Sequence, residues 1–73
     1  MKHSPDNALA VALGAQLRAV REAEGVSQVD LASRVGTTQP QIVKYETGAQ
    51  VMNVARLYAI AGALKVAPYR LLV

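Results

Sequence analysis

The chain has no cysteine. That excludes a disulfide staple and any thiolate metal centre. It has one histidine, His3, beside an N-terminus expected to fray. A solvated residue is expected there, not a catalytic base. Acidic residues are few: Asp6, Glu22, Glu24, Asp30 and Glu46. None is spaced as a metal site or as an acid and base sharing a cleft. A glycine-rich phosphate loop is also missing. An enzyme, a metal and a cofactor are therefore not expected. No apolar run approaches the roughly 18 residues of a membrane span. The N-terminus has no continuous apolar stretch of the signal-peptide kind. The expectation is a cytoplasmic protein with no membrane partner. Strand-like alternation, internal repeats, linkers and low-complexity segments are all lacking. What remains is one all-α domain over residues 1–73, with residues 1–4 frayed.

The composition is 52% hydrophobic, too apolar for a disordered chain. A chain of 73 residues buries only about 60% of its unfolded surface, so its stability is marginal. Dimerisation is the supplement left open once disulfides and metals are gone. The net charge is +3 and the sequence pI near 9.7. That suits a phosphate-backbone partner, but equally a basic domain with no nucleic-acid role.

Capping signals divide the chain. Ser4-Pro5-Asp6 reads as a helix start, with proline in the first turn and an acid near the dipole's positive end. The helix is expected to run to Glu24 and stop at Gly25, with Leu9, Leu13, Leu17 and Val20 on one face. Gly14 lies inside it at a cost of about 1 kcal/mol relative to alanine, which suggests close packing. Ser27 can cap a second helix, with Asp30 reaching back, and Leu31 and Val35 share its inner face. Gly36 ends it, where a positive φ is wanted. Thr38 with Gln41 reads as a further capping box, and Ile42 and Tyr45 face inward. Ala32 is small where the two short helices must cross. Asn53 is expected to cap a fourth helix, with Val54, Leu57, Ile60, Ala61 and Leu64 at helical spacing. Pro68 suits the first turn of a short fifth helix, Pro68 to Leu72.

Residues 27 to 46, SQVDLASRVGTTQPQIVKYE, resemble the helix-turn-helix of lambda-repressor-like (Cro and Xre type) DNA-binding domains. The likeness rests on Gln28, Leu31, Ala32, Val35 and Gly36. It continues through Thr38, Gln39, Ile42, Lys44, Tyr45, Glu46 and Gly48, and extends from about Leu13 to Leu72. It implies a five-helix domain whose second motif helix, about 38–46, enters the major groove of double-stranded DNA. Its first residue would then meet a base edge, and Gln39 can pair with adenine N6 and N7 at once. Gln41 can read a base or cap Thr38. Val43 can touch a thymine methyl or sit at the helix edge. Lys44 can reach guanine or a phosphate. Ser27 and Gln28 lie at a helix N-terminus, a natural phosphate seat. Thr38 can serve a phosphate and its cap together. In relatives an Arg and a Glu matching Arg21 and Glu46 pair across helices, so this pair is read as structural, with Arg21 also facing phosphate.

The chain departs from the family after Gly48. Many relatives carry Lys or Arg and then proline there; this chain has Ala49-Gln50-Val51-Met52. The missing charge removes phosphate contacts and their counterion release. The segment ending in Tyr69, Leu71 and Leu72 carries more apolar surface than one short helix can bury. Neighbours on a helix diverge by about 100°, so one of the two leucines should point outward. A homodimer interface at these three residues is expected, with Leu9 and Val11 as a rival surface. Two functions follow. One is a sequence-specific DNA-binding regulator, a repressor acting as a homodimer. The other is an antitoxin or phage accessory factor that chiefly binds another protein.

Overall fold

The computed structural model describes residues 5–72, with side chains from residue 8 onward. The expected Ser4 cap, the expected fraying of residues 1–4 and the side chain of Asp6 lie outside what is described. Helix α1 spans Pro5–Ala23, α2 Gln28–Val35, α3 Gln39–Thr47 and α4 Val54–Leu64. A single 3₁₀ turn, Pro68–Leu71, follows. Every regular element among the described residues is helical.

The expected fifth α-helix is thus corrected to a 3₁₀ turn. Its bonds run from Arg70 N to Ala67 O (2.9 Å) and from Leu72 N to Tyr69 O (2.9 Å). The i to i+3 bonding of this tighter turn places Leu71 in the core. Leu71 is fully buried there.

Three caps formed as their side chains allow. Ser27 Oγ accepts from Asp30 N (3.0 Å), Thr38 Oγ1 from Gln41 N (3.3 Å) and Asn53 Oδ1 from Arg56 N (2.7 Å). The return halves of the two capping boxes are replaced by other bonds. Asp30 pairs with Arg34 at 2.8 Å, and the Gln41 amide donates to Gln50 Oε1 at 3.0 Å. Gly36 ends α2 at φ 74°, a region closed to most side chains.

The core gathers Leu17 and Val20 of α1, Val26, Leu31 and Ala32, Ile42 and Tyr45 of α3, Ile60, Ala61 and Leu64 of α4, and Leu71. Gly14 lies where α1 meets α3. A Cβ there would stand 2.5 Å from the Glu46 carbonyl oxygen and would strike that of Tyr45. The α1–α3 crossing is therefore closer than any other residue would permit. Gly48, at φ 83°, meets the Val11 backbone of α1 in the same way.

Two inward assignments are corrected. Leu9 is 59% exposed and Val54 73% exposed. Ala10 is buried in place of Leu9. Val54 opens α4 ahead of the turns that face the core. Helix α1 also ends one residue earlier than expected, at Ala23.

Polar side chains bind the helices to one another. Arg34 Nη1 donates to Ala63 O (3.0 Å), and Arg56 Nη1 donates to Val35 O (3.1 Å). Together they clamp α2 to α4, and Arg56 satisfies a carbonyl at the open end of α2. Gln16 Nε2 donates to Arg70 O (2.7 Å), holding the 3₁₀ turn on α1.

Candidate nucleic-acid interface

Helix α3 buries Ile42, Tyr45 and Glu46 and turns Gln39, Pro40, Val43, Lys44 and Thr47 outward. Sequence spacing puts residues 40, 44 and 47 on the side opposite the core, whereas Gln39, in line with Ile42 and Glu46, is exposed because it stands in the first turn. Pro40 sits in the first turn, where its missing N–H leaves nothing unpaired. The result is a capped helix start that leaves Gln39 exposed beside Gln28.

Behind Gln39 lies a chain of polar bonds. Arg21 Nε donates to Glu46 Oε2 (2.5 Å) and Nη2 to Glu46 Oε1 (3.2 Å). Arg21 Nη1 donates to Val26 O (2.8 Å). Gln28 Nε2 donates to Glu46 Oε1 (3.0 Å), and Gln39 Nε2 donates to Gln28 Oε1 (3.3 Å). The chain starts in a buried ion pair and surfaces at the tip of α3. The side chains of Arg21 and Glu46 are 9% and 3% exposed.

The hydrogen bond to Glu46 raises the Arg21 pKa above its ordinary value, against the opposing pull of burial. Because the folded value is the higher one, this stabilisation is complete below the unfolded pKa and fades only in strong alkali. Across neutral pH the Arg21 charge, and with it the anchor of the polar chain, is constant. Burial also corrects one assignment. Arg21 is spent on Glu46 and the Val26 carbonyl inside the fold, so it does not reach a phosphate.

The other sequence-derived residues fall as follows. Ser27 and Thr38 are exposed at the starts of α2 and α3, each with its hydroxyl engaged in a cap. Gln28 is half-buried between Glu46 and Gln39. Gln41 is half-buried and turned to the loop rather than to Thr38. Val43 and Lys44 are exposed on α3, and Lys44 forms no ion pair among the described residues. Ala32 and Gly36 hold the α2–α3 corner. Gln28 therefore meets Gln39 at the start of α3, Gln41 faces the loop further round that helix, and Tyr69 and Leu72 lie on the C-terminal turn.

Gln50 was missed as a member of this surface. Its backbone N–H bonds to Lys44 O (3.2 Å) and its side chain to Gln41, so it makes a second amide pair past the end of α3. The available signal was an amide in a loop otherwise lacking polar side chains. Arg34 and Arg56, by contrast, are held by carbonyls of the fold.

The family model described as "Helix-turn-helix domain" matches residues 12–71. The chain belongs to that family. It is 39% identical over 62 residues to the "Uncharacterized HTH-type transcriptional regulator y4wC" of Sinorhizobium fredii, covering 85% of this chain and 43% of that protein. A second regulator of that organism, y4aM, is 34% identical over 67 residues, covering 92% and 47%. The helix-turn-helix chain thus spans about half the length of these curated relatives. Among solved structures, the restriction-modification controller protein C.AhdI from Aeromonas hydrophila superposes with a TM-score of 0.88 at 29% identity, covering 93% of this chain and 99% of that one. The clp gene regulator ClgR from C. glutamicum gives a TM-score of 0.84 at 28% identity, covering 88% and 83%. The resemblance to Xre and Cro-type domains is confirmed. Its kin are regulators and not enzymes. No helix among the described residues is long and apolar enough to cross a membrane.

Proposed function

We propose that this chain binds double-stranded DNA in a sequence-specific way and regulates transcription, as a repressor in the cytoplasm. The observation that carries this reading is the exposed Gln39 amide, held at the start of α3 by Gln28. An α3 laid in the major groove presents its N-terminal residues to base edges. Gln39 then offers a donor and an acceptor to adenine, Val43 one turn on meets a thymine methyl, and Lys44 meets guanine or a phosphate. Gln41, tethered to Gln50, borders the same groove wall. Ser27, Gln28 and Thr38 stand at two helix starts whose N–H groups favour a phosphate.

The protein acts as a homodimer through exposed Tyr69 and Leu72, with half-sites about one helical turn apart. Leu71 takes no part, since the monomer core already contains it. The names of the relatives, transcriptional regulators and a gene regulator among them, support the regulatory role.

The test is selection of bound sequences from a random DNA pool, with Gln39→Ala alongside. The parent is expected to recover a palindrome. The variant is expected to keep its fold and lose about 1–3 kcal/mol of discrimination at one base of each half-site. Unchanged preference at every base would refute the role given to Gln39.

One observation favours a second reading. The loop after α3 carries no charge, and its Val51 is 53% exposed. A domain that binds chiefly another protein, as an antitoxin or phage accessory factor does, would have such a surface and only weak, salt-sensitive DNA binding.

A further inference from the structure

We propose that the buried Glu46 carboxylate, acting through Gln28, fixes which end of the Gln39 amide faces the DNA and so sets the base that α3 prefers. The inference rests on the DNA-binding reading above and deepens it. Glu46 has no access to the groove: it lies on the inner side of α3 and is 8% exposed. It is a positioning residue.

The polarity follows from the chemistry of the groups. A guanidinium only donates, and an ionised carboxylate only accepts. Arg21 holds both oxygens of Glu46, at 2.5 and 3.2 Å. Whatever else bonds to that carboxylate must be a donor. Gln28 therefore turns its NH₂ inward, at 3.0 Å from Glu46 Oε1. Its carbonyl is left facing outward and demands a donor in turn. Gln39 supplies one, Nε2 at 3.3 Å. One N–H of Gln39 is thereby consumed. Its other N–H and its carbonyl oxygen stay open, side by side. That is the pattern complementary to adenine, an acceptor at N7 beside a donor at N6. An untethered glutamine can rotate its amide by half a turn, but this one cannot without placing two carbonyls face to face.

Reversing the first link reverses the rest. In Glu46→Gln, Arg21 claims the substituted carbonyl, and the new NH₂ points at Gln28. Gln28 then flips to accept it and turns its own NH₂ outward. Gln39 must accept from Gln28, which frees both of its N–H groups for the groove. Two donors fit guanine, whose N7 and O6 both accept. The buried substitution is thus expected to move a base preference that Glu46 itself never touches.

The experiment selects DNA from a random pool with the full chain, as parent, Glu46→Gln and Gln28→Met. It is run well below each melting temperature, and each fold is checked by circular dichroism. In the parent, the base under Gln39 should favour adenine over guanine by roughly 5- to 150-fold, the range of one good bidentate contact. In Glu46→Gln that preference should fall to within about twofold of parity or pass to guanine, with the other bases unmoved, because one bidentate pair alone is exchanged. Gln28→Met should lose the adenine preference without gaining guanine, because Gln39 is then free to turn. A second arm needs no DNA: the side-chain amide resonances of Gln28 and Gln39 are compared in the free parent and in Glu46→Gln. Both pairs should shift. A folded Glu46→Gln with the parent's adenine preference overturns the proposal. So do unchanged Gln28 and Gln39 amide resonances. A parent that selects no sequence, while its amide resonances still respond to Glu46→Gln, sinks the DNA-binding reading and the base-setting role, and leaves only the polarity chain standing.

Discussion

Gly14→Ala is expected to destabilise the domain, although alanine is the better helix former. In an unencumbered helix interior the exchange would stabilise by about 1 kcal/mol. Here the new Cβ would lie 2.5 Å from the Glu46 carbonyl oxygen and 2.7 Å from its carbon, where real Cβ atoms essentially never come within 3.0 Å. The obstructing atoms are α3 backbone, which cannot rotate aside. To clear the Tyr45 carbonyl as well, helices α1 and α3 must part by roughly 0.5–1 Å, enough to forfeit a quarter to a half of the dispersion well of atoms across that seam. Leu17, Ile42 and Tyr45 lie in the core that this seam closes. Overpacking of this kind costs about 1–3 kcal/mol, and with no side chain to give way the net loss is expected near 2 kcal/mol even after the propensity gain. For a domain this size that lowers the melting temperature by about 8–16 °C. The internal control is Gly62→Ala. Gly62 also lies within a helix, but nothing approaches its Cβ position within 4 Å. That variant is expected to gain about 0.4–1 kcal/mol. Thermal melts of both variants beside the parent decide the matter. If Gly14→Ala melts at or above the parent, the close crossing of α1 and α3 does not exist as described.

Ala32 is 3% exposed at the α2–α3 corner, so Ala32→Leu should cost about 1–3 kcal/mol. That is a large share of the roughly 4–11 kcal/mol expected for the whole domain, and a melt matching the parent would refute the packing. Lys65 ends α4 at φ 59°, a left-handed conformation that costs a β-carbon-bearing residue about 1 kcal/mol. Lys65→Gly should therefore raise the denaturation midpoint; a lowered midpoint would show that the lysine side chain contributes more than its backbone costs. For the dimer, Tyr69→Glu with Leu72→Glu is a cleaner perturbation than removing the C-terminal turn, which would also take Leu71 out of the core. Both residues are exposed, at 64% and 56%, so the monomer fold should change by less than about 0.5 kcal/mol while sedimentation shifts from dimer to monomer. A dimer that survives both charges would place the interface elsewhere.

What the sequence determined by itself was local or periodic. Ser27, Thr38 and Asn53 announced three helix starts because a capping side chain reaches only three residues along its own chain. Gly36 announced a helix end because its conformation excludes most other residues. The order of small, apolar and amide positions over 27–46 was enough to recognise the helix-turn-helix, and so to place Gln39 outward at the start of its second helix. The tertiary structure decided whatever depended on a distant partner. Periodicity in α1 marks an apolar stripe, but only the neighbours present decide that Ala10 is buried and Leu9 is not. The segment after Pro68 became a 3₁₀ turn that seats Leu71 in the core and leaves Leu72 exposed. Arg34 with Ala63 and Arg56 with Val35 meet across separations of 29 and 21 residues, which no short-range pattern records. The link from Glu46 through Gln28 to Gln39 is of the same kind. Each amide was visible in the sequence, but its direction is set by a carboxylate that folding brings beneath it.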